Sequence, residues 1–135
     1  MKKILVTFLL FGIATVSQSQ WILQNPYPAT SDLEKVVCIN PNTALFFGRD
    51  ATILRTADGG ATIHKIITGF AITNHMTSSD FPTPEIGYAV SYNGKVFKTT
   101  DAGLSWIVAC DNIQQASHIN CIKFADSLTG YMAGG

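Results

Sequence analysis

Two short stretches of the sequence place a carboxylate between hydroxyl side chains at a fixed spacing. They are Thr56-x-Asp58-x-Gly60-x-Thr62 and Thr99-x-Asp101-x-Gly103-x-Ser105-Trp106. A carboxylate beside a hydroxyl could activate a nucleophile or help to hold a metal ion. The same groups are also suited to closing a tight turn between two strands.

The composition of these stretches favours the turn. The carboxylate can accept hydrogen bonds from backbone amides of its own turn and from the hydroxyl that follows it. Glycine permits a positive φ, and Trp106 can cover the turn with apolar surface. We therefore predict a structural role for Asp58 and Asp101, not a catalytic or metal-binding one.

Other groups that could do chemistry are few. Two carboxylates across a cleft would suit a glycoside hydrolase, and a sialidase would need a cluster of arginines, whereas only Arg49 and Arg55 are present. The sequence also lacks the CxxC or HxxxH spacing that would indicate a zinc site. Because neither kind of site is indicated, we predict no catalytic residue, metal or cofactor. The carboxylates outside the two stretches, each at a predicted turn or strand end, are Asp50, Asp80, Glu85 and Asp111.

The two stretches belong to a longer repeat, because Asp58 and Asp101 lie 43 residues apart and other positions keep the same period. A period in the forties with strand-like content is typical of a propeller or a similar array. The matching sets are Leu33, Met76 and Ile119; Cys38, Phe81 and Phe124; and the segments 44–47, 87–90 and 130–133.

Each repeat reads as four short strands separated by turn residues, so we predict an all-β protein built from propeller blades of four antiparallel strands. The predicted strands are 33–39, 44–48, 52–56 and 62–67; 76–81, 87–91, 95–99 and 105–110; and 119–124 and 130–133.

The repeats divide the chain into a partial propeller over residues 20–135. Its parts are a closing outer strand and loop (20–32), repeat 1 (33–75), repeat 2 (76–118) and a truncated repeat 3 (119–135). About two and a half blades form an incomplete ring, since propellers have roughly four to eight. We expect this chain to be the N-terminal part of a longer protein with further blades; self-association into a ring is the alternative.

The first nineteen residues resemble an export signal. Lys2 and Lys3 precede an apolar run from Ile4 to Val16, and Ser17 and Ser19 suit a cleavage site. The run is too short to span a bilayer. We predict cleavage after the signal peptide at 1–19 and a secreted or cell-surface protein of a bacterium, with no membrane insertion afterwards.

Charge and cysteine content restrict the partners. The predicted mature chain has seven basic and nine acidic residues, a net charge of about −2, so we expect no binding to nucleic acid. Three cysteines leave at least one without a disulfide partner in the chain. Cys110 and Cys121 flank one loop and could form a bridge, and Cys38 is predicted to be a small core residue.

These motifs together resemble the Asp-box, or bacterial-neuraminidase-repeat, β-propellers, whose fold is that of sialidases. The chain also resembles exported proteins described as similar to the photosystem II stability and assembly factor, over residues 21–135. The motifs are Ile122-x-Phe124, Gly130–Gly134 and Gly94-x-Val96-x-x-Thr99-x-Asp101-x-Gly103-x-Ser105-Trp106. The departures from the repeat are Ala44, Ile63, Ser91 and Ala102.

The resemblance implies a closed-ring architecture but permits several functions, because propellers carry binding, scaffolding and hydrolysis on one frame. We predict a non-catalytic binding or scaffold module for an unknown protein or glycan, and place its working surface in loops 49–51, 82–86 and 92–94. The alternative, implied by the same resemblance, is part of a xyloglucanase-like glycoside hydrolase.

Repeat positions also bear on the remaining candidate residues. Tyr88 and Tyr131 share one position and are predicted to belong to the core. His64, His75 and His118 share none, and are predicted to be solvated loop or strand-end residues.

Overall fold

The computed structural model describes residues 30–111, 113 and 118–135, and these residues form ten β-strands and no helix. The all-β prediction is therefore confirmed. The predicted signal peptide at 1–19, and residues 20–29 of the predicted closing strand, lie outside the described residues. The strands are β1 (Leu33–Asn40), β2 (Thr43–Gly48), β3 (Ile53–Thr56), β4 (His64–Lys65), β5 (Met76–Asp80), β6 (Gly87–Ser91), β7 (Val96–Thr99), β8 (Ile107–Cys110), β9 (Ile119–Phe124) and β10 (Gly130–Gly134).

The strands form three antiparallel sheets in which each strand pairs with its neighbour in sequence. Strands β1 to β4 make one four-stranded sheet, β5 to β8 make another, and β9 pairs with β10. The first strands begin at Leu33, Met76 and Ile119, 43 residues apart. We call the sheets blades 1, 2 and 3; the described part of blade 3 has two strands. This is the predicted array of propeller blades.

The fourth strand of blade 1 is much shorter than predicted. The sequence indicated a strand over 62–67, but β4 contains only His64 and Lys65, paired with Arg55 and Leu54. The backbone N–H of Thr62 is held by the Asp58 carboxylate at 2.9 Å. Because that bond commits Thr62 to the turn, the strand begins after it.

Blades 1 and 2 pack face to face around one apolar core. The side of blade 1 that faces blade 2 contributes Leu45, Phe47 and Ile53, all fully buried. Blade 2 contributes Met76, Ala89, Phe97 and Trp106 to the same core. The Trp106 ring meets Phe47 edge to face at a centroid distance of 5.6 Å, a geometry favoured by the quadrupoles of aromatic rings.

Blades 2 and 3 pack around a second apolar core. Val90 and Val96 of blade 2 meet Ile119 and Ile122 of blade 3. At its edge the Tyr88 and Phe124 rings stack with centroids 4.6 Å apart.

A charged contact spans the same pair of blades. Lys123 donates to the Asp80 carboxylate at 2.6 Å, and the backbone N–H of Phe124 donates to the other carboxylate oxygen at 2.7 Å. The carboxylate thus fixes the register of β9 against β5, because it binds both a side chain and the backbone of one strand.

The outer faces of blades 1 and 3 leave apolar side chains exposed. Leu33 is 43% and Val36 53% exposed, although the same repeat positions are filled in blade 3 by buried Ile119 and Ile122. The core prediction for the two tyrosines holds for Tyr88 but not for Tyr131, which is 69% exposed.

The prediction that Cys38 is a core residue is wrong, because Cys38 is exposed. Its repeat position is filled by Phe81, which packs against the core shared by blades 1 and 2, and by Phe124, which stacks on Tyr88 of the preceding blade. The corresponding side of blade 1 is the one with exposed Leu33 and Val36. The bridge considered between Cys110 and Cys121 is not formed, since Cys121 carries a free, exposed thiol.

Candidate functional site

The first Asp-box turn connects β3 to β4 and is closed by hydrogen bonds within itself. The Thr56 hydroxyl donates to Asp58 Oδ1 at 2.8 Å and accepts the N–H of Gly60 at 2.9 Å. Thr62 donates its N–H to Oδ1 at 2.9 Å and its hydroxyl to Oδ2 at 2.6 Å. Both carboxylate oxygens of Asp58 therefore face donors of their own turn.

The second Asp-box turn, between β7 and β8, repeats this arrangement. Thr99 bonds Asp101 Oδ1 at 2.7 Å, and its hydroxyl accepts the N–H of Gly103 at 3.0 Å. Ser105 donates its N–H and its hydroxyl to the two carboxylate oxygens at 2.9 and 2.6 Å. Trp106 adds a contact with no counterpart at Ile63, because its Nε1–H donates to the Gly103 carbonyl at 3.2 Å.

These hydrogen bonds keep both carboxylates ionised. At Asp58, the side-chain bond from Thr62, followed by that residue's backbone bond and the Thr56 hydroxyl, lowers the pKa from 3.8 to about 2. At Asp101, burial raises the pKa, but the bonds from Ser105 and Thr99 outweigh it, so the pKa lies below the ordinary value. A carboxylate that is held ionised by its own turn is suited to structure rather than to proton transfer.

The two ends of the blade array differ in the loops that they carry. At the Asp-box end, the box turns meet the turns that follow the first strand of each blade: Gly59 N–H binds the Asn42 carbonyl and Ala102 N–H binds the Glu85 carbonyl, both at 2.9 Å. We call the other end the crossover end. There, the turns that follow β2 and β6 meet the segment that joins the blades.

Backbone hydrogen bonds hold the crossover end together. The N–H of Ala51 donates to the Asn74 carbonyl at 2.9 Å, and that of Tyr92 donates to the His75 carbonyl at 2.8 Å. The Asn93 side chain also donates to the Asn74 side chain at 3.1 Å.

The prediction that loops 49–51, 82–86 and 92–94 form one working surface is therefore wrong for one of the three loops. Loops 49–51 and 92–94 lie together at the crossover end, but loop 82–86 lies at the Asp-box end. Successive turns of an antiparallel meander alternate between the two ends of the sheet. Loop 82–86 follows a first strand, whereas the other two loops follow second strands.

An open groove of about 420 Å³ lies at the crossover end. It spans all three blades, because its walls come from β1, β5, β9 and the turns after β2 and β6. It presents one aromatic ring among charged, hydroxyl and amide groups. The lining residues are Glu34, Arg49, His75, Thr77, Tyr92 and Asn120.

The charges in this groove largely balance. Arg49 lies 3.1 Å from Glu34 and 3.5 Å from Asp32. The hydrogen bond from Glu34 and the charges of Asp32, Glu34 and Asp50 raise the pKa of Arg49. The second arginine, Arg55, lies elsewhere and donates to the Ala102 carbonyl at 3.1 Å, across the joint between blades 1 and 2.

His75 lines the groove. The histidines were predicted to be solvated loop or strand-end residues, and His75 and His118 each stand just before a first strand; the prediction is wrong only for the solvation of His75. His64 is exposed on β4. His75 is half-buried, and its Nδ1 atom is buried with no hydrogen-bond partner in the described part of the chain. His118 packs against the Tyr92 ring at a centroid distance of 4.0 Å, and its Nδ1 lies 3.0 Å from the Gly135 carbonyl.

The four carboxylates considered for hydrolysis do not gather in the groove. Asp80 lies at the joint between blades 2 and 3, and Glu85 lies in a turn at the Asp-box end. Asp50 accepts a hydrogen bond from Ser31, and Asp111 pairs with Lys95. Among the described residues that line the groove, Glu34 is the only carboxylate; it was not selected from the sequence, and Arg49 binds it.

Over residues 30–111, 113 and 118–135, no group of three or more histidine, cysteine or acidic side chains could hold a metal ion. The same residues include no helix that is long and apolar enough to cross a membrane.

Most of the groove was not predicted from the sequence. Tyr92 was included only as part of loop 92–94 and Arg49 as part of loop 49–51, whereas Thr77 and Asn120 were not singled out. The order of the strands could have predicted part of it. In an antiparallel meander, a residue just before a first strand, such as His75, lies at the same end of the sheet as the turns that follow second strands.

No protein-family model matches the sequence, and no curated protein sequence matches it. The solved structure of YCF48 bound to a D1 peptide superposes on 79% of this chain with a TM-score of 0.72 and 22% sequence identity. The chain has the β-propeller fold of YCF48.

The YCF48 likeness confirms, at the level of fold, the resemblance to assembly-factor-like repeat propellers stated from the sequence. The chain spans 36% of the length of that YCF48 chain. It therefore corresponds to a set of blades within the YCF48 propeller.

Proposed function

We propose that this chain is the opening part of a secreted, non-catalytic propeller module that binds a segment of another protein at the crossover-end groove. The observation that carries the proposal is the groove itself. It is open, spans three blades and combines one exposed ring with several different polar groups. Placed polar groups of this kind fix the orientation of a bound ligand.

The groove residues suit a polypeptide. Tyr92 is 45% exposed and offers a rigid ring with a hydroxyl, a side chain that gives large contact area at small entropic cost. Asn120 is exposed, and an amide side chain can both donate to and accept from a peptide backbone. His75 adds an aromatic imidazole ring to the groove wall.

The solved relative gives independent support. The YCF48 structure contains a bound D1 peptide, so a propeller of this fold can bind a protein segment. Whether the partner of this chain resembles that peptide does not follow from the shared fold.

The absence of catalysis is supported by the arrangement of carboxylates. A glycoside hydrolase needs two carboxyl groups facing one cleft. Asp50 and Asp111 lie at the crossover end, each with a side-chain partner, and Asp80 and Glu85 lie toward the other end. Turnover of a β-glucan or sialoside by the purified protein, abolished by Asp50→Ala or Asp111→Ala, would contradict this part.

The binding part is tested with a displayed library of random peptides, selected on the purified protein and measured by fluorescence anisotropy. We expect Tyr92→Ala to raise the dissociation constant of the selected peptides at least about tenfold, the loss typical of an aromatic anchor. Arg49→Ala should change their affinity and its salt dependence. Leu104→Ser is the matched control, because Leu104 is 58% exposed in the second Asp-box turn, at the opposite end.

Three results would overturn the binding proposal. One is a library that yields no peptide, another is binding that survives Tyr92→Ala, and the third is binding lost in Leu104→Ser. If the protein instead bound a glycan on a glycan array and no peptide, the groove would be a glycan-binding site and the proposal of a protein partner would be wrong.

Export and chain length form a separate part of the proposal. We propose that residues 1–19 are removed on secretion and that further blades follow residue 135 in the natural product. The intact mass of the secreted protein tests both points. A mass matching residues 20–135 would contradict the longer chain, and a mass that retains residues 1–19 would contradict the signal.

A further inference from the structure

The described residues that line the crossover-end groove all occupy three positions of the 43-residue repeat. Position A directly precedes the first strand of each blade, position B is the second residue of that strand, and position C directly follows the second strand. Each blade therefore takes part in the groove through the same three positions. In the order of blades 1, 2 and 3, the residues are Asp32, His75 and His118 at position A, Glu34, Thr77 and Asn120 at position B, and Arg49, Tyr92 and Gly135 at position C. His75 and His118 thus share a repeat position that His64 does not hold.

One backbone hydrogen bond joins positions A and C in all three blades. The N–H at position C donates to the carbonyl at position A, at 3.0 Å in blade 1, 2.8 Å in blade 2 and 3.1 Å in blade 3. Because this bond uses only main-chain atoms, it holds the two positions in place whatever side chains they carry. The frame is therefore the same in each blade, and the side chains on it differ.

The side chains of blade 1 on this frame are all charged. Arg49 lies 3.1 Å from Glu34 and 3.5 Å from Asp32. Two carboxylates share one guanidinium, so one negative charge in this set is not balanced. The Asp32 side chain is 76% exposed and makes the longer of the two contacts. A basic side chain of a ligand could therefore bind Asp32 while Arg49 stays on Glu34.

The side chains of blade 2 on the same frame are two rings and a hydroxyl. The Tyr92 ring is held on one side by the His118 ring of blade 3, at a centroid distance of 4.0 Å. The Thr77 hydroxyl donates to the Ile119 carbonyl of blade 3 at 2.6 Å and so fixes the floor of the groove. A positioned, half-exposed aromatic ring suits stacking with another aromatic ring or with proline.

We propose that positions A, B and C determine the specificity of the groove, and that each blade's set contacts its own part of a polypeptide lying across the blades. The set of blade 1 binds a basic side chain, and the set of blade 2 binds an aromatic or prolyl side chain. The proposal rests on the binding function proposed above. Further blades would add further sets of these positions and leave the sets of blades 1 and 2 in place.

The charge preference is tested with peptides selected on the wild-type protein, which we expect to contain a basic residue. Asp32→Asn should raise their dissociation constant about two- to fivefold, as expected for one exposed ion pair. Asp111→Asn is the matched control. It removes the same charge from another exposed carboxylate at the crossover end, but Asp111 pairs with Lys95 and lies at none of the three positions. It should leave the dissociation constant unchanged.

An exchange variant tests whether each blade contacts its own part of the ligand. Asp32→His/Glu34→Thr/Arg49→Tyr gives blade 1 the whole set of blade 2. All three residues are exposed, and the bond between positions A and C uses the main chain, so the circular dichroism spectrum should match the wild type. Peptides selected anew on this variant should lose the basic residue and carry a second aromatic or prolyl residue.

The outcomes separate this proposal from the binding function. If the exchange variant selects the same peptides as the wild type, and Tyr92→Ala still abolishes their binding, the groove binds protein but positions A, B and C of blade 1 do not determine specificity. Equal losses in Asp32→Asn and Asp111→Asn would assign the charge preference to the net charge of this end of the molecule. If the wild-type protein selects no peptide, the binding function and this proposal are both wrong.

Discussion

The two Asp-box turns make the same internal hydrogen bonds but have different surroundings. In each turn, a carboxylate accepts two bonds from the residue four positions later. Around Gly60, however, an added Cβ would meet nothing within 4 Å, whereas at Gly103 it would overlap Leu45 of blade 1. The difference arises because blade 2 has a blade before it and packs its box against that neighbour.

The comparison separates two sources of stability. Hydrogen bonds within the turn are local, since all partners lie within a few residues of one another, and they form in both boxes. Burial of Trp106 is not local, because its ring packs on Phe47 of blade 1 as well as on Phe81. Changes to the shared hydrogen bonds should affect both boxes alike, and changes to packing should affect the second box more.

The largest expected difference is between Trp106→Ala and Ile63→Ala. Trp106 is 6% exposed and Ile63 is half-buried. We expect Trp106→Ala to lower the free energy of unfolding by about 3–5 kcal/mol, and Ile63→Ala by about 1 kcal/mol. Urea unfolding followed by far-ultraviolet circular dichroism measures both. Equal losses would show that the joint between blades 1 and 2 does not stabilise the second box.

The next difference concerns the box glycines. Gly103 and Gly60 have φ of 82° and 93°, so alanine is strained at both positions. Only at Gly103 does the new methyl group also overlap Leu45. We expect Gly103→Ala to cost about 2–4 kcal/mol and Gly60→Ala about 1 kcal/mol, measured as shifts of the urea midpoint.

A double variant separates the overlap with Leu45 from backbone strain at Gly103. Leu45→Ala removes the side chain that the new methyl group would meet. If overlap is the cause, Gly103→Ala should cost less in the Leu45→Ala background than in the wild type. An unchanged cost would assign the whole effect to backbone strain.

Acid should act on both boxes in the same direction. A carboxyl whose pKa is lowered in the folded state stabilises the fold above its unfolded pKa, and this contribution is lost as the pH falls through the folded pKa. For Asp58 the loss should run from pH 3.8 down to about 2. We expect the free energy of unfolding to fall in this range, and to fall less steeply in Asp58→Asn and in Asp101→Asn.

The control is the range between pH 5 and pH 7, where neither carboxyl titrates. There the free energy of unfolding of each asparagine variant should lie below that of the wild type by a constant amount. At pH 7 we expect Asp101→Ala to cost about 1–3 kcal/mol by leaving turn amides unsatisfied. A variant that kept its melting temperature but lost ligand binding would contradict the structural role.

The smallest expected effect is at Ala102, which has φ of 56° and stands where the first box has Gly59, with φ of 70°. A left-handed conformation costs a residue with a Cβ about 1–2 kcal/mol, partly offset by the greater chain entropy of glycine when unfolded. We expect Ala102→Gly to raise the melting temperature slightly. A decrease would show that the Ala102 methyl group makes a stabilising contact that outweighs this strain.

Much of the fold was predictable, because each repeat carries its own turns. The strands starting at Leu33, Met76, Gly87, Ile119 and Gly130 begin at their predicted residues. Strand β4 was predicted too long, because the prediction included Thr62 in the strand although its amide is held in the turn by Asp58. The candidate site was predicted less well, because a groove depends on which loops meet across blades.

The period, the all-β class and the two turns around Asp58 and Asp101 could be predicted from residue types, because they depend on residues that are near one another in the chain. Which copies of a repeat position are buried depends on contacts between blades. Tyr88 and Tyr131 are identical in type and position, yet one is stacked between blades and the other is 69% exposed. Burial depends on packing against another blade, and the residues of a single repeat do not encode that packing.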